Sequence, residues 1–520
     1  MSPRLRLCLA ALIGLVPASV LAQNPCDVTE ATVDGLARAQ ASGACTARAL
    51  TEATLARIDA LDRQGPALHA VLELNLDALA IADALDRERA QGHVRGPLHG
   101  VPVLVKGNVG TRDRMTTTAG ARALAGTVAL ADAFVVARLR EAGAVVVGKA
   151  NLSEWANFRS SPSSSGWSGL GGQTRNPYVL DRSPCGSSSG TGAGVAASLA
   201  VVGVGTETDG SIVCPSSANG LVGVKPTVGL ISRAGIVPLS HSQDTAGPMA
   251  RTVRDAAILL SALAGADAAD EATAASGGHV SADYTRFLDA DGLRGARIGV
   301  LRGGGFTGYS GPADRLMDDA LAAMRAAGAV LVDSLSLPSG YDADEFTVLL
   351  YDFKHDVDAY LAGLGPEAAV HSLADVIAFN RAHPEDFNQD LLEQAQATGP
   401  LTDAAYTRAL ARSRRLARTQ IDSLLATHRL DALVAPTGSP AWTIDAVNGD
   451  HFLGASSTPA AVSGYPSVTV PAGLVRGLPV GISLIGPAWS EGVLLRLAYA
   501  YEQATQMRRP PAYLPTLPDE

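Results

Sequence analysis

The sequence predicts an α/β fold: one large unit whose sheet is covered by helices on both faces, with an insertion in its second half. Three observations carry this. Helical and strand-like patterns alternate, as where residues 133–142 read as a helix and 144–147 as a buried strand. Hydrophobic residues make up 47% of the 520, enough for a sizeable core, and abundant Ala and Gly favour close packing of helices on a sheet. The length would allow roughly three or four domains, but no low-complexity tract, Pro/Ser stalk or fixed-period repeat separates them.

Taken in chain order, residues 1–22 read as a secretory signal peptide. Arg4 and Arg6 precede the apolar run 7–21, and Val20-Leu21-Ala22 precedes a cut at Gln23. The run is short for a membrane anchor, and no other long apolar segment follows, so a soluble, secreted or periplasmic protein is expected. Residues 23–45 form an N-terminal helical segment, and the helical pattern extends over 28–62, with Thr46 a cap candidate. The main domain is expected over 46–510. Within its core, 90–250, an apolar run at 98–105 reads as a strand ending at Lys106. Residues 160–184 form a Ser-, Gly- and Pro-rich loop of a length that is usually functional. A helix over 190–202 starts at a serine cluster, its free N–H groups aimed there. Residues 251–430 are more helical and more charged, a variable region with strands at 297–301 and 329–332. The small-residue style returns over 431–510.

The net charge of −10 argues against a nucleic-acid partner, which selects a basic face. No basic amphipathic helix points to a membrane surface. Five cysteines are present, and loss of Cys8 with the leader leaves four. In an oxidising compartment two disulfides are possible, expected as Cys26–Cys45 and Cys185–Cys214; buried free thiols are the alternative.

The chemistry concentrates in Cys185-Gly186-Ser187-Ser188-Ser189-Gly190 and Thr206-Glu207-Thr208-Asp209-Gly210-Ser211. Serines among glycines, beside free backbone N–H groups, suit acyl transfer. Only four lysines occur within a Lys-plus-Arg total of 41, and three of them, Lys106, Lys149 and Lys225, lie in this small-residue region. A buried lysine can lose its proton and act as a base, which arginine cannot. Lys106, ending an apolar run, is the candidate base; Lys149 and Lys225 read as structural, bonding loop carbonyls. No histidine falls in a motif with the serines, and His99 reads as structural or a loop contact. Residues 186–190 also match the G-x-S-x-G nucleophile elbow, but no strand precedes them, as the elbow requires.

These residues resemble the amidase signature family of serine hydrolases, and within it the peptide amidase branch. The matching stretches are 96–106, 172–178, 183–190, 205–215, 223–227 and 242–251. The resemblance implies a single αβα domain with a central mixed β-sheet, and a Ser–Ser–Lys triad. In it Ser211 is the nucleophile, Ser187 a proton-relaying serine on a cis peptide bond, and Lys106 the base. Backbone N–H groups around Thr208, Asp209, Gly210 and Ser211 match the oxyanion hole. No metal and no cofactor are implied. The substrate is expected to be a small-molecule or peptide amide, with no nucleic acid, membrane or obligate protein partner. Cys185 in place of a common Gly, Asp209 in place of another, and Val213 in place of a common Arg all fit the peptide amidase branch. Gly107 stands where the family often has Asp. The leading expectation is removal of the C-terminal amide of peptides; an amidase of aliphatic or aryl amides, an amidotransferase-type subunit and a periplasmic peptide-binding protein are the competing readings.

Overall fold

The structure, a computed structural model, describes residues 25–518 apart from 338, 339, 385 and 386. The expected leader, its cut before Gln23 and Cys8 lie outside the described residues.

Among the described residues the strands are β1 (Val71–Leu74), β2 (Pro102–Lys106), β3 (Val145–Ala150), β4 (Trp167–Ser168), β5 (Gly172–Gln173), β6 (Val202–Glu207), β7 (Val222–Lys225), β8 (Thr245–Ala250), β9 (Arg297–Gly303), β10 (Val330–Ser336), β11 (Ala432–Pro436), β12 (Ser467–Val475) and β13 (Leu478–Ile485). All but β4 and β5 join one sheet in the order β1-β3-β2-β6-β8-β7-β12-β13-β11-β9-β10. The sheet is mixed, as expected. It runs parallel through β3, β2 and β6 and again through β11, β9 and β10, and antiparallel between these blocks. β2, β3 and β6 are buried along their whole length. They are valine-rich because both faces are covered, so no polar alternation survives.

Small residues let the layers close. A Cβ on Gly190, in the helix Ser189–Ala196, would stand 2.2 Å from the Ala70 carbonyl oxygen, and one on Gly203 in β6 would stand 2.6 Å from Thr191 Cγ2. Side chains at either place would push the helix off the sheet.

Several boundaries differ from the sequence reading. The helical stretch 28–62 is two helices, Val33–Ala41 and Ala47–Ile58, followed by a single π-turn over Asp59–Arg63. Gly43, at φ +73°, turns the chain between them, and Thr46 caps the second by accepting from the Ala49 N–H at 3.1 Å. The strand expected over 98–105 begins only at Pro102, though it ends at Lys106 as expected. Residues 98–101 are a turn in which the Val101 N–H donates to the Leu98 carbonyl. The helix expected over 190–202 ends at Ala196; Ser198, at φ +58°, reverses the chain into β6. An apolar run of that length does not separate a buried helix from a buried strand. The loop 160–184 is irregular save for the two-residue ribbon of β4 and β5.

Both expected disulfides are present, Cys26–Cys45 and Cys185–Cys214, with Cα atoms 5.3 and 6.0 Å apart. The second joins the segment before Ser187 to the helix Val213–Ala218 that follows Ser211.

Candidate active site

Lys106 closes β2, and β6 runs parallel beside it, with Val105 in register with Val204. That register brings Thr206 alongside the lysine. The side chain is fully buried, and its Nζ lies within donating distance of Ser187 Oγ (2.6 Å), Thr206 Oγ1 (2.9 Å) and the Thr206 carbonyl (3.3 Å). Asn108 Nδ2 donates to Thr206 Oγ1 at 3.0 Å and fixes that hydroxyl. Burial pushes Lys106 down to about 7, while the charges of Asp244 and Glu207 pull it back up. The acidic neighbour absent at Gly107 is not what holds this lysine; a Cβ there would stand 2.8 Å from Leu72 Cδ1.

Burial alone does not single Lys106 out. Lys149 is pushed to about 7 and Lys225 to about 8 by the same cause. Geometry separates them. Lys149 donates to the Val109 carbonyl and Thr117 Oγ1, and Lys225 to the Pro226 and Tyr465 carbonyls. Both bond loop carbonyls, as read from the sequence, and only Lys106 meets a serine of the cluster. His99 is buried between the Leu85 carbonyl and the Arg95 N–H, a structural setting.

The Gly186–Ser187 peptide is cis. The Ser187 carbonyl accepts from the Ser153 N–H at 3.1 Å. The next residue bridges to the second motif: the Ser188 N–H donates to the Ser211 carbonyl at 3.1 Å, and Ser188 Oγ donates to the Thr206 carbonyl at 3.0 Å. Ser187 and Ser211 are thus held by one stretch of backbone, with Ser188 and Ser189 in support. The elbow geometry is absent, since residues 181–186 contain no strand.

Gly210, at φ +78°, makes the turn that presents Ser211. Lys106 and Ser187 are fully buried, whereas Ser211 keeps 7% of its surface open. It opens into a cavity of about 470 Å³ whose walls include Phe158, Asp209, Gly210, Trp442, Asp450 and Phe452. None of the backbone N–H groups of Thr208, Asp209, Gly210 and Ser211 donates a hydrogen bond among the described residues. Four unengaged donors around one turn at the cavity floor are what a developing oxyanion requires.

The sequence reading missed the acids that hold this turn. The buried Glu207 carboxylate accepts from the Ile212 and Val213 N–H groups at 2.6 and 2.9 Å, fixing the start of the helix behind Ser211. Burial raises its pKa, and the charge of Lys225 opposes that rise. Asp244 accepts from Thr208 Oγ1 at 2.6 Å and from the Leu239 and Ser240 N–H groups, and burial pushes it up to about 6. Both acids lie inside the matching stretches, so a charged residue in an otherwise small, apolar run was the available signal. Asp209 accepts from Thr458 Oγ1 at 2.7 Å and faces Glu345 of the helix Asp342–Ala362, whose carboxylate accepts from Gln243 Nε2 at 2.8 Å. Burial raises both acids, with the charge of Asp342 adding to the rise of Asp209 and that of Asp209 to the rise of Glu345. Nothing in its own stretch of sequence marks Glu345.

The amidase family pattern matches residues 49–495. A probable amidase of Arabidopsis thaliana is 41% identical over 503 residues, covering 94% of this chain and 92% of its own. The native peptide amidase of Stenotrophomonas maltophilia superposes with a TM-score of 0.89 at 53% identity, covering 94% of this chain and all of that one (100%). The peptide amidase PAM, in complex with the competitive inhibitor chymostatin, gives 0.90 at 54% identity, over 93% and 99% of the two chains.

Glu207→Ala leaves the buried Ile212 and Val213 N–H groups without their acceptor. It should cost about 2–4 kcal/mol in denaturant unfolding, while Glu52→Ala, on the exposed face of the helix Ala47–Ile58, leaves stability unchanged.

Proposed function

The chain belongs to the amidase signature family and is an amide-hydrolysing enzyme, and from that premise we propose that it removes the C-terminal amide of peptides by acyl transfer through Ser211, Ser187 and Lys106. The observation that carries the reading is the buried 2.6 Å contact between Lys106 Nζ and Ser187 Oγ, beneath a cavity to which Ser211 alone of the three is open.

In this mechanism neutral Lys106 accepts the Ser187 hydroxyl proton as Ser187 takes that of Ser211. Ser211 Oγ attacks the carboxamide carbon, and the oxyanion that forms is held by the free N–H groups around Thr208, Asp209, Gly210 and Ser211. The C–N bond breaks as the relay returns the proton to nitrogen, and ammonia leaves an ester on Ser211. Water loses a proton to the same relay, attacks the ester and releases the carboxylic acid. Two features support a peptide as the acyl part. The cavity has room for more than a small aliphatic amide, with Trp442, Phe158 and Phe452 offering apolar walls. Val213 stands where the resemblance would otherwise put an arginine suited to a substrate carboxylate.

Incubation with an amidated dipeptide should release one ammonia per free dipeptide acid formed. Free glutamine or a short aliphatic amide as the better substrate, or binding without turnover, would overturn the peptide assignment. Lys106→Ala should lower kcat by about 10²–10⁴; retention of most activity removes it as the base.

Since Lys106 must be neutral to accept a proton, kcat/KM should rise with pH through about 7 and then level off. Asp244 raises Lys106, so Asp244→Asn should move that acid limb to lower pH, whatever it does to the plateau, in a pH–rate profile.

We further propose export to an oxidising compartment. The apolar leader supports it, as do the two disulfides, which reducing cytosol disfavours. Sequencing the N-terminus of the native protein should find Gln23 first; a cytosolic protein starting at Met1 or Ser2 overturns it.

A further inference from the structure

Away from Ser211, two titratable elements meet at the surface. The loop 239–244 carries His241, and the helix Asp342–Ala362 carries Asp352, His355 and Asp356. His241 Nδ1, His355 Nδ1 and an Asp356 carboxylate oxygen lie within 4.8 Å of one another. His241 Nδ1 is 3.0 Å and His355 Nδ1 2.9 Å from that carboxylate. Asp352, one helical turn earlier, shares the face. It is fully buried, and its Oδ2 accepts from Ser240 Oγ at 2.6 Å. Its Oδ1 is buried with no hydrogen-bond partner among the described residues and lies 3.6 Å from His241 Nδ1.

The charge around the cluster is unbalanced. Arg233 forks onto Asp270 and the His241 carbonyl, and Arg414 donates to the Ser242 carbonyl, so neither guanidinium bonds Asp352 or Asp356. Tyr406 closes the far side through a 3.3 Å contact with His241 Nε2. What remains is two carboxylates, one wholly out of water with an orphaned oxygen, facing two accessible imidazoles. A buried carboxylate oxygen without a partner is costly, and a cation held beside His241 would offset its charge.

We propose that His241, His355 and Asp356 form a binding site for a divalent transition-metal ion, best matched by Zn²⁺. Zinc bonds to imidazole nitrogen and carboxylate oxygen are about 2.0–2.2 Å, which puts the ligands of a tetrahedral site about 3.3–3.5 Å apart. The two His–Asp356 separations, 2.9 and 3.0 Å, lie a little below that edge, and the three ligand atoms lie within 4.8 Å of one another. Two imidazoles favour zinc over the hard cations Mg²⁺ and Ca²⁺. Three protein ligands leave a fourth position for water, and the site ties the helix Asp342–Ala362 to the loop whose Asp244 holds Thr208. None of its three ligands belongs to the catalytic set, and the inference does not depend on the peptide assignment.

The test uses the full chain without a histidine tag, stripped with EDTA and dialysed. Calorimetric titration with ZnCl₂ should show one equivalent bound with micromolar affinity, and Zn²⁺ should raise Tm; MgCl₂ should do neither. His241→Asn and His355→Asn should each weaken binding by about ten-fold or more. The double variant should lose the Tm shift while matching the wild-type Tm in EDTA, and His371→Asn should bind as wild type. No zinc binding by the wild type, or equal binding by the double variant, overturns the site. If the double variant is already unstable in EDTA, the single His355→Asn, altering an exposed side chain, decides by the same criterion.

Discussion

The structure depends on one costly placement: a lysine with no exposed surface, put at the end of a central strand where only neutral partners touch it. Ser187, Thr206 and Asn108 supply hydrogen bonds around Nζ without supplying charge. Glu207 and Asp244 act on it from further off, and burial outweighs them, leaving the lysine near neutrality. A carboxylate in direct contact would have kept the proton in place, because opposite charge at close range favours the ammonium. Neutral hydroxyl partners are therefore the chemical condition for a base at this position.

Holding that lysine requires backbone almost in contact with backbone. β2 and β6 run parallel, the helix Ser189–Ala196 lies on them, and glycines occupy the points where a Cβ would meet a carbonyl oxygen or a methyl. The two serine segments are then joined by the Ser188 N–H to the Ser211 carbonyl, by Ser188 Oγ to the Thr206 carbonyl and by the Cys185–Cys214 bridge. Glu207 anchors the turn from behind, and Asp244 holds its Thr208 from the side. The N–H groups of the turn stay unengaged because side-chain carboxylates, rather than those N–H groups, fix its shape.

The region 251–430 has two roles. It extends the sheet through β9 and β10, and it lays the helix Asp342–Ala362 over the catalytic half. That helix reaches the nucleophile turn at Glu345, which faces Asp209, and reaches the loop 239–244 at Asp352 and Asp356. Its contribution is positional and electrostatic, delivered from far away in sequence.

The sequence by itself determined the fold class, the strands β2, β3, β9 and β10, and the group of residues gathered at the site. These depend on local composition: valine runs between glycines, serines flanked by small residues, and one lysine where arginine is the default cation. It read Lys106 as the base and Lys149 as structural, yet both end apolar runs and burial lowers both alike; the physical difference between them is the atom facing Nζ, which follows from strand register. It did not end the helix at Ala196, because an apolar run has the same composition as a helix or a buried strand. Nor did it mark Glu345, His241 or Asp352, whose neighbours come from segments about a hundred or more residues distant. Pattern is written in nearest neighbours along the chain, whereas a proton's position, a shared carboxyl or a ligand set is fixed by distances across it, and only tertiary packing decides those.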